Sequence, residues 1–111
     1  MKVYKSFKIA GINYYEALFV INEIKIGDKL ILKPEENIYD EYAVEIYYKD
    51  KKLGYIPKSA NYSISTILRK GWDIFECFVQ RVDRDNLEIE VAVFVRERDD
   101  KWYTWYFRYR F

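Results

Sequence analysis

Histidine is absent from this 111-residue chain, cysteine occurs once as Cys77, and there are only two prolines and four glycines. Without histidine and with a single thiol, the chain has too few soft ligands for a structural zinc site and no side chain whose unperturbed pKa lies near neutrality. No metal and no cofactor is expected. One cysteine allows no internal disulfide, and the opening residues Met1, Lys2, Val3, Tyr4 and Lys5 lack the apolar core of a signal peptide. Both observations favour the cytoplasm. No uninterrupted apolar run approaches membrane-spanning length, so no membrane partner is expected. An excess of charge is missing too: nineteen basic and eighteen acidic residues leave a net charge of +1. Any binding of nucleic acid must therefore be local, not driven by the field of a polycation.

Apolar and aromatic residues are plentiful. Half the chain is hydrophobic, with 3 Trp, 12 Tyr and 7 Phe. A chain of this mass buries roughly two thirds of its unfolded surface, enough for one independent core, and residues 1–111 read as a single domain without linker, repeat or low-complexity tract. Alternation rich in β-branched and aromatic residues predicts strands over Lys2 to Ile9, Lys29 to Lys33, Ala43 to Tyr48, Leu53 to Ile56, Asp73 to Val82, Leu87 to Arg96 and Trp102 to Tyr109. The break at Asp83-Arg84-Asp85-Asn86 predicts a hairpin. Helical spacing of Ala60, Ile64, Ile67 and Leu68, with Ser59 as cap and Gly71 as stop, predicts one clear helix over Ala60 to Lys70. Tyr14 to Ile21 allows either a short helix or an extended path. The expectation is a mainly β domain with low helical content, a small OB-like β-barrel of six to seven strands, closed or partly closed; a β-sandwich is the less attractive rival.

The run Asn37-Ile38-Tyr39-Asp40-Glu41-Tyr42-Ala43-Val44, followed by Leu53-Gly54-Tyr55-Ile56-Pro57-Lys58, resembles the signature of the HIRAN domain. Further matches are Gly11-Ile12-Asn13-Tyr14-Tyr15 after the first strand, and Gly27-Asp28-Lys29-Leu30 at the entry to the second. The resemblance is strongest over residues 3–80. It implies an OB-like barrel that binds DNA, above all a single strand presenting a free 3′ end. Family members are often fused to DNA translocase and zinc-binding RING modules. The chain holds neither, so a translocase or repair partner would be encoded separately, and ATP hydrolysis and zinc binding are not inherited with the resemblance.

The candidate nucleic-acid-binding residues are Asn13, Tyr14, Tyr15, Asn37, Tyr39 and Asp40, on which the resemblance bears, and Lys58, read from its own charge. Tyr14 and Tyr15, being consecutive, can splay apart, one packing into the core and one offering a ring on which any base can stack. Asn13 stands where the family commonly has an arginine. Asn37 and Asp40, in a tight loop, commonly bond nearby backbone amides; the role implied by the family is that Asp40 accepts a hydrogen bond from a terminal 3′-hydroxyl while Tyr39 shapes the pocket. A carboxylate there would accept a hydroxyl donor and repel a terminal phosphate. Ile38 and Tyr42 replace the family's usual proline and asparagine. Lys58, with Arg69 or Lys70 at the helix end, is a candidate for backbone phosphates. Gly54 reads as a close backbone approach or a bulge, and Pro57 as the end of its strand.

The last segment alternates Tyr103, Trp105, Phe107 and Tyr109 with Trp102, Thr104, Tyr106 and Arg108. Two faces this aromatic suit stacked nucleic acid or a protein interface. A homodimer or other protein-interaction module built on this strand is the competing reading. Catalysis is not expected: Glu35-Glu36, Asp83, Asp85 and Asp99-Asp100 are adjacent acids in turns, which are ordinarily solvated.

Overall fold

Each alternating segment between Lys2 and Val95 forms a strand in the computed structural model, which describes residues 2–96. These are β1 (Lys2–Lys8), β2 (Lys29–Pro34), β3 (Val44–Tyr48), β4 (Lys51–Tyr55), β5 (Phe75–Asp83) and β6 (Glu88–Val95). They make one sheet in the order β1-β6-β5-β2-β3-β4, and every neighbouring pair is antiparallel. The predicted strand over Trp102 to Tyr109, and with it the dimer reading, lies outside the described residues.

Alternation sets which side chains enter the core. Phe75, Cys77 and Val79 of β5 and Ile89, Val91 and Val93 of β6 point inward at every second position and are buried, as the two-residue side-chain period of a strand requires. Burial pushes the pKa of the Cys77 thiol up to about 12, leaving it inert. The hairpin tip between β5 and β6 is closed by Asp83, whose Oδ1 accepts the Asn86 backbone N–H at 3.1 Å and whose Oδ2 accepts Asn86 Nδ2 at 2.9 Å. Asp83 is thus a turn residue.

The expected mainly β fold is present, but the sheet is not closed into a barrel. Among the described residues the ladder does not close, and the sheet's two edges meet at a single bridge, where Ala10 N donates to Tyr55 O at 2.8 Å and Tyr55 N to Ala10 O at 2.9 Å. The reason is local. Ile9 N still donates to Ile89 O on the β6 side, at 2.9 Å, whereas Ala10 pairs with β4. The chain switches partner within one residue and then turns at Gly11, which leaves no length for a continuous β1–β4 ladder.

That crossing explains Gly54. A Cβ at Gly54 would overlap the Ala10 carbonyl oxygen and stand 2.7 Å from Ile9 Cγ2. Gly54 also faces Ile46 where the β3–β4 register shifts. Close approach and a bulge both occur there, and only glycine tolerates the first.

The ambiguous stretch resolves into a 3-10 turn over Ile12–Tyr14 and a short helix α1 (Ala17–Val20). Ala17, Val20, Ile21 and Ile24 are all buried, so helical spacing, not alternation, places this segment's apolar side chains inward. The second helix, α2 (Tyr62–Arg69), is shorter than predicted at both ends. Residues before it form a turn, with Ala60 N donating to Pro57 O at 2.9 Å, so the cap is Asn61 and not Ser59. Gly71 ends the helix as expected, its N–H donating to Leu68 O at 2.9 Å. Among the described residues, no helix is long and apolar enough to cross a membrane.

Candidate nucleic-acid interface

A cleft of about 250 Å³ opens where the Ala10–Gly11 crossing, the β2–β3 loop and the end of β4 converge. Its walls include Asn37, Tyr39, Asp40 and Lys58, four of the residues expected to bind nucleic acid, together with Tyr55 and Gly11. Asn13, Tyr14 and Tyr15 do not line it; they lie on the adjoining turn that Gly11 begins.

The loop from Asn37 to Asp40 is shaped by its own side chains. Asn37 Oδ1 accepts the Tyr39 N–H at 2.8 Å, and Asp40 Oδ1 accepts the Tyr42 N–H at 3.0 Å. These are the local side-chain-to-backbone bonds that favour Asn and Asp in turns. Asp40 Oδ2 accepts a further bond from Asn61 Nδ2 at 2.9 Å. Each carboxylate oxygen therefore holds one partner and keeps a further lone pair. With its backbone held in this way, the loop lifts the Tyr39 ring into solvent, 84 % exposed.

On the turn, Tyr14 and Tyr15 splay. Tyr14 is 84 % exposed, while Tyr15 is half-buried and meets Tyr55 edge-on, with ring centroids 5.6 Å apart. Asn13 is exposed. Lys58 is exposed at the cleft wall, and among the described residues no carboxylate lies within ion-pair distance of it. Arg69 is not free for phosphate. Its Nη2 donates to the carbonyls of Glu35 at 2.9 Å and Ala43 at 3.3 Å, and its Nη1 pairs with Glu36 at 3.6 Å, which ties both stems of the cleft loop to α2.

The sequence reading missed the charged cluster behind the cleft. Lys52 Nζ, on a side chain 15 % exposed, donates to Tyr55 Oη at 2.7 Å, and lies 3.2 Å from Glu45 Oε2 and 3.4 Å from Glu35 Oε1. It also sits 4.2 Å and 4.3 Å from the ring centroids of Tyr15 and Tyr55, close enough for cation–π attraction to both. Glu35 Oε2 accepts from Tyr55 Oη at 2.6 Å and from Asn37 Nδ2 at 3.1 Å. Burial alone would raise the Glu35 pKa, but the bonds from Tyr55 and Asn37 and the Lys52 charge outweigh it and hold the carboxyl below its usual range. Burial likewise works against the Lys52 charge, yet Tyr55, Glu45 and Glu35 together keep the ammonium protonated well above its ordinary range. Tyr55 moves up through burial and its bond to Glu35. Alternation alone puts Glu45 on the face opposite Val44 and Ile46, so in the sequence it reads as a solvated strand residue; only the structure shows it buried, and a buried acid requires a cation. Among the described residues no group of three or more carboxylate or thiol ligands is placed to hold a metal ion.

A model of the HIRAN domain matches residues 3–98. The chain belongs to the HIRAN domain family. The match runs through β5 and β6, so the family domain extends beyond the motifs up to residue 80 that carried the resemblance. Among solved structures, a protein from Lactobacillus plantarum superposes with a TM-score of 0.75 at 21% identity, covering 82% of this chain and 90% of that one. The HIRAN domain of human HLTF superposes with a TM-score of 0.62 at 16% identity, over 86% of this chain and 79% of that one. At such identities the likeness establishes a shared HIRAN fold. No curated protein matches the chain significantly.

Proposed function

We propose that this HIRAN domain is a non-catalytic module that binds single-stranded DNA and takes a free 3′-hydroxyl end into the cleft beside Asp40. Membership of a family of nucleic-acid-binding domains supports the general reading. The observation that carries the finer one is that one carboxylate, Asp40, and one ammonium, Lys58, which has no ion-pair partner among the described residues, share the walls of a single small cleft flanked by the exposed ring of Tyr39. A terminal hydroxyl donates to a remaining lone pair of Asp40, the nearest backbone phosphate meets Lys58, and bases stack on Tyr39 and, along the turn, on Tyr14. Its volume of about 250 Å³ falls below the roughly 300–1,000 Å³ of ordinary ligand pockets, which suits the capture of one strand terminus.

The test is fluorescence anisotropy with one short oligonucleotide in three forms: 3′-hydroxyl, 3′-phosphate and circular. The hydroxyl form should bind best and the phosphate form worst. Equal affinity for all three would refute end capture.

A further inference from the structure

The part-buried cluster of Glu35, Lys52 and Tyr55 lies behind the cleft, with Tyr55 reaching its wall, and it touches both sides of the place where a strand end would sit. We infer that Glu35, acting with Lys52, is a positioning residue for strand-end recognition: it sets Asn37, Tyr55 and Tyr15 in one arrangement before DNA arrives. The inference rests on the end-capture reading above.

The argument is one of donors and acceptors. An ionised carboxylate only accepts, so the Asn37 side chain can present only its NH₂ group to Glu35, at 3.1 Å, and its oxygen is thereby turned onto the Tyr39 N–H at 2.8 Å. Glu35 thus decides which way the Asn37 amide faces, and with it the course of the loop that raises Tyr39. Tyr55 has one hydroxyl proton, which goes to Glu35, so its oxygen is left to accept from Lys52. Lys52 in turn has three protons and three acceptors, Tyr55, Glu35 and Glu45. None is left for a phosphate. What remains to this ammonium is to hold the rings of Tyr15 and Tyr55 against it, so that the turn and the loop, twenty-two or more residues apart in sequence, share one anchor. A single part-buried carboxylate thereby joins the turn side of the interface to the cleft side.

Glu35→Gln keeps the size but replaces an acceptor by an amide NH₂, which must face Lys52, Asn37 or Tyr55. In the DNA-free protein, NMR should show the Asn37 side-chain amide signals displaced and the Tyr39 backbone N–H exchanging about tenfold faster. Affinity for the 3′-hydroxyl oligonucleotide should fall about tenfold, binding of the circular form should change less, and Glu35→Asp, which restores the charge, should recover part of the loss. Tyr55→Phe removes only the hydroxyl and should act in the same direction, about threefold, even if Glu35→Gln proves too unstable to study. Unmoved Asn37 signals in these variants, or moved signals with unchanged 3′-hydroxyl affinity, would overturn the positioning role. Wild-type protein that binds the three oligonucleotide forms equally would overturn the end-capture reading instead, a result that the DNA-free NMR comparison distinguishes from the first.

Discussion

Asp40 and Asn61 are joined by a 2.9 Å hydrogen bond from the Asn61 side-chain amide, on a residue only 2 % exposed, to Asp40 Oδ2. Asn61 occupies the N-cap of α2 yet makes no side-chain cap bond to the helix; its amide is spent on the cleft loop instead. At the other end of the helix, Arg69 grips the carbonyls of Glu35 and Ala43. α2 therefore clasps the loop from both sides, and the carboxylate proposed to receive a strand end is held by a buried group. Such a bond restricts the carboxylate's orientation before any ligand arrives, which is the condition for selective recognition at low entropic cost.

Asp40→Asn should separate recognition from architecture. The amide oxygen can keep the Tyr42 N–H, and the contact with Asn61 survives if one of the two amides turns. Urea denaturation should show a loss of about 1 kcal/mol. Preference for a 3′-hydroxyl over a 3′-phosphate should fall about tenfold or more, since a hydrogen bond to a charged acceptor contributes about 1.5–3 kcal/mol. A selectivity unchanged in anisotropy titrations would remove Asp40 from the binding site.

Tyr14→Ala and Tyr39→Ala should weaken strand binding with little effect on folding. Both rings are 84 % exposed, so thermal stability should stay within about 0.5 kcal/mol of the parent. Loss of one stacked base weakens binding by about 1–3 kcal/mol. Tyr15→Ala should do the opposite and lower stability, because it removes the ring packed on Tyr55 and Lys52.

The salt dependence should be shallow. Arg69 is occupied by loop carbonyls and Lys52 by carboxylates, leaving Lys58 and Lys70 as phosphate contacts. At about 0.7 per contact for a single strand, the slope of log affinity against log salt should lie near 0.7–1.4, and Lys58→Ala should lower it by about 0.7. A much steeper slope in titrations at several salt concentrations would locate the phosphate contacts elsewhere.

Gly54→Ala should be among the costliest small substitutions. Its methyl group would collide with the Ala10 carbonyl at the one point where the sheet's edges meet, so a loss of about 2–3 kcal/mol is expected in chemical denaturation. A neutral effect would mean that the crossing is not close.

Stability should hold between two pH limits. Glu35 has a folded pKa below its ordinary 4.5, so its contribution is present above that value and is lost as pH falls through the folded pKa. Lys52 and Tyr55 have folded pKa values raised above their ordinary 10.5 and 10.0; their contribution is present below those values and is lost as pH rises toward the folded ones. Lys52→Met, leaving two largely buried carboxylates without their cation, should cost about 3 kcal/mol at neutral pH and weaken the alkaline dependence. Urea melts across the pH range would check both limits.

Local pattern by itself determined the six described strands, the β5–β6 hairpin, the stop at Gly71 and the ordered motifs of the HIRAN family, because alternation, turn chemistry and helical spacing act between residues near in sequence. The same rule failed where near neighbours do not decide. The β1–β4 edge stays open because Ala10 changes partner from β6 to β4, and α2 starts at Tyr62 because Asn61 is drawn to Asp40, twenty-one positions away. Tertiary structure alone brought Glu35, Lys52, Tyr55 and Tyr15 together: each reads as an ordinary surface or strand residue until packing excludes water, and only then must every charge and hydroxyl find a partner.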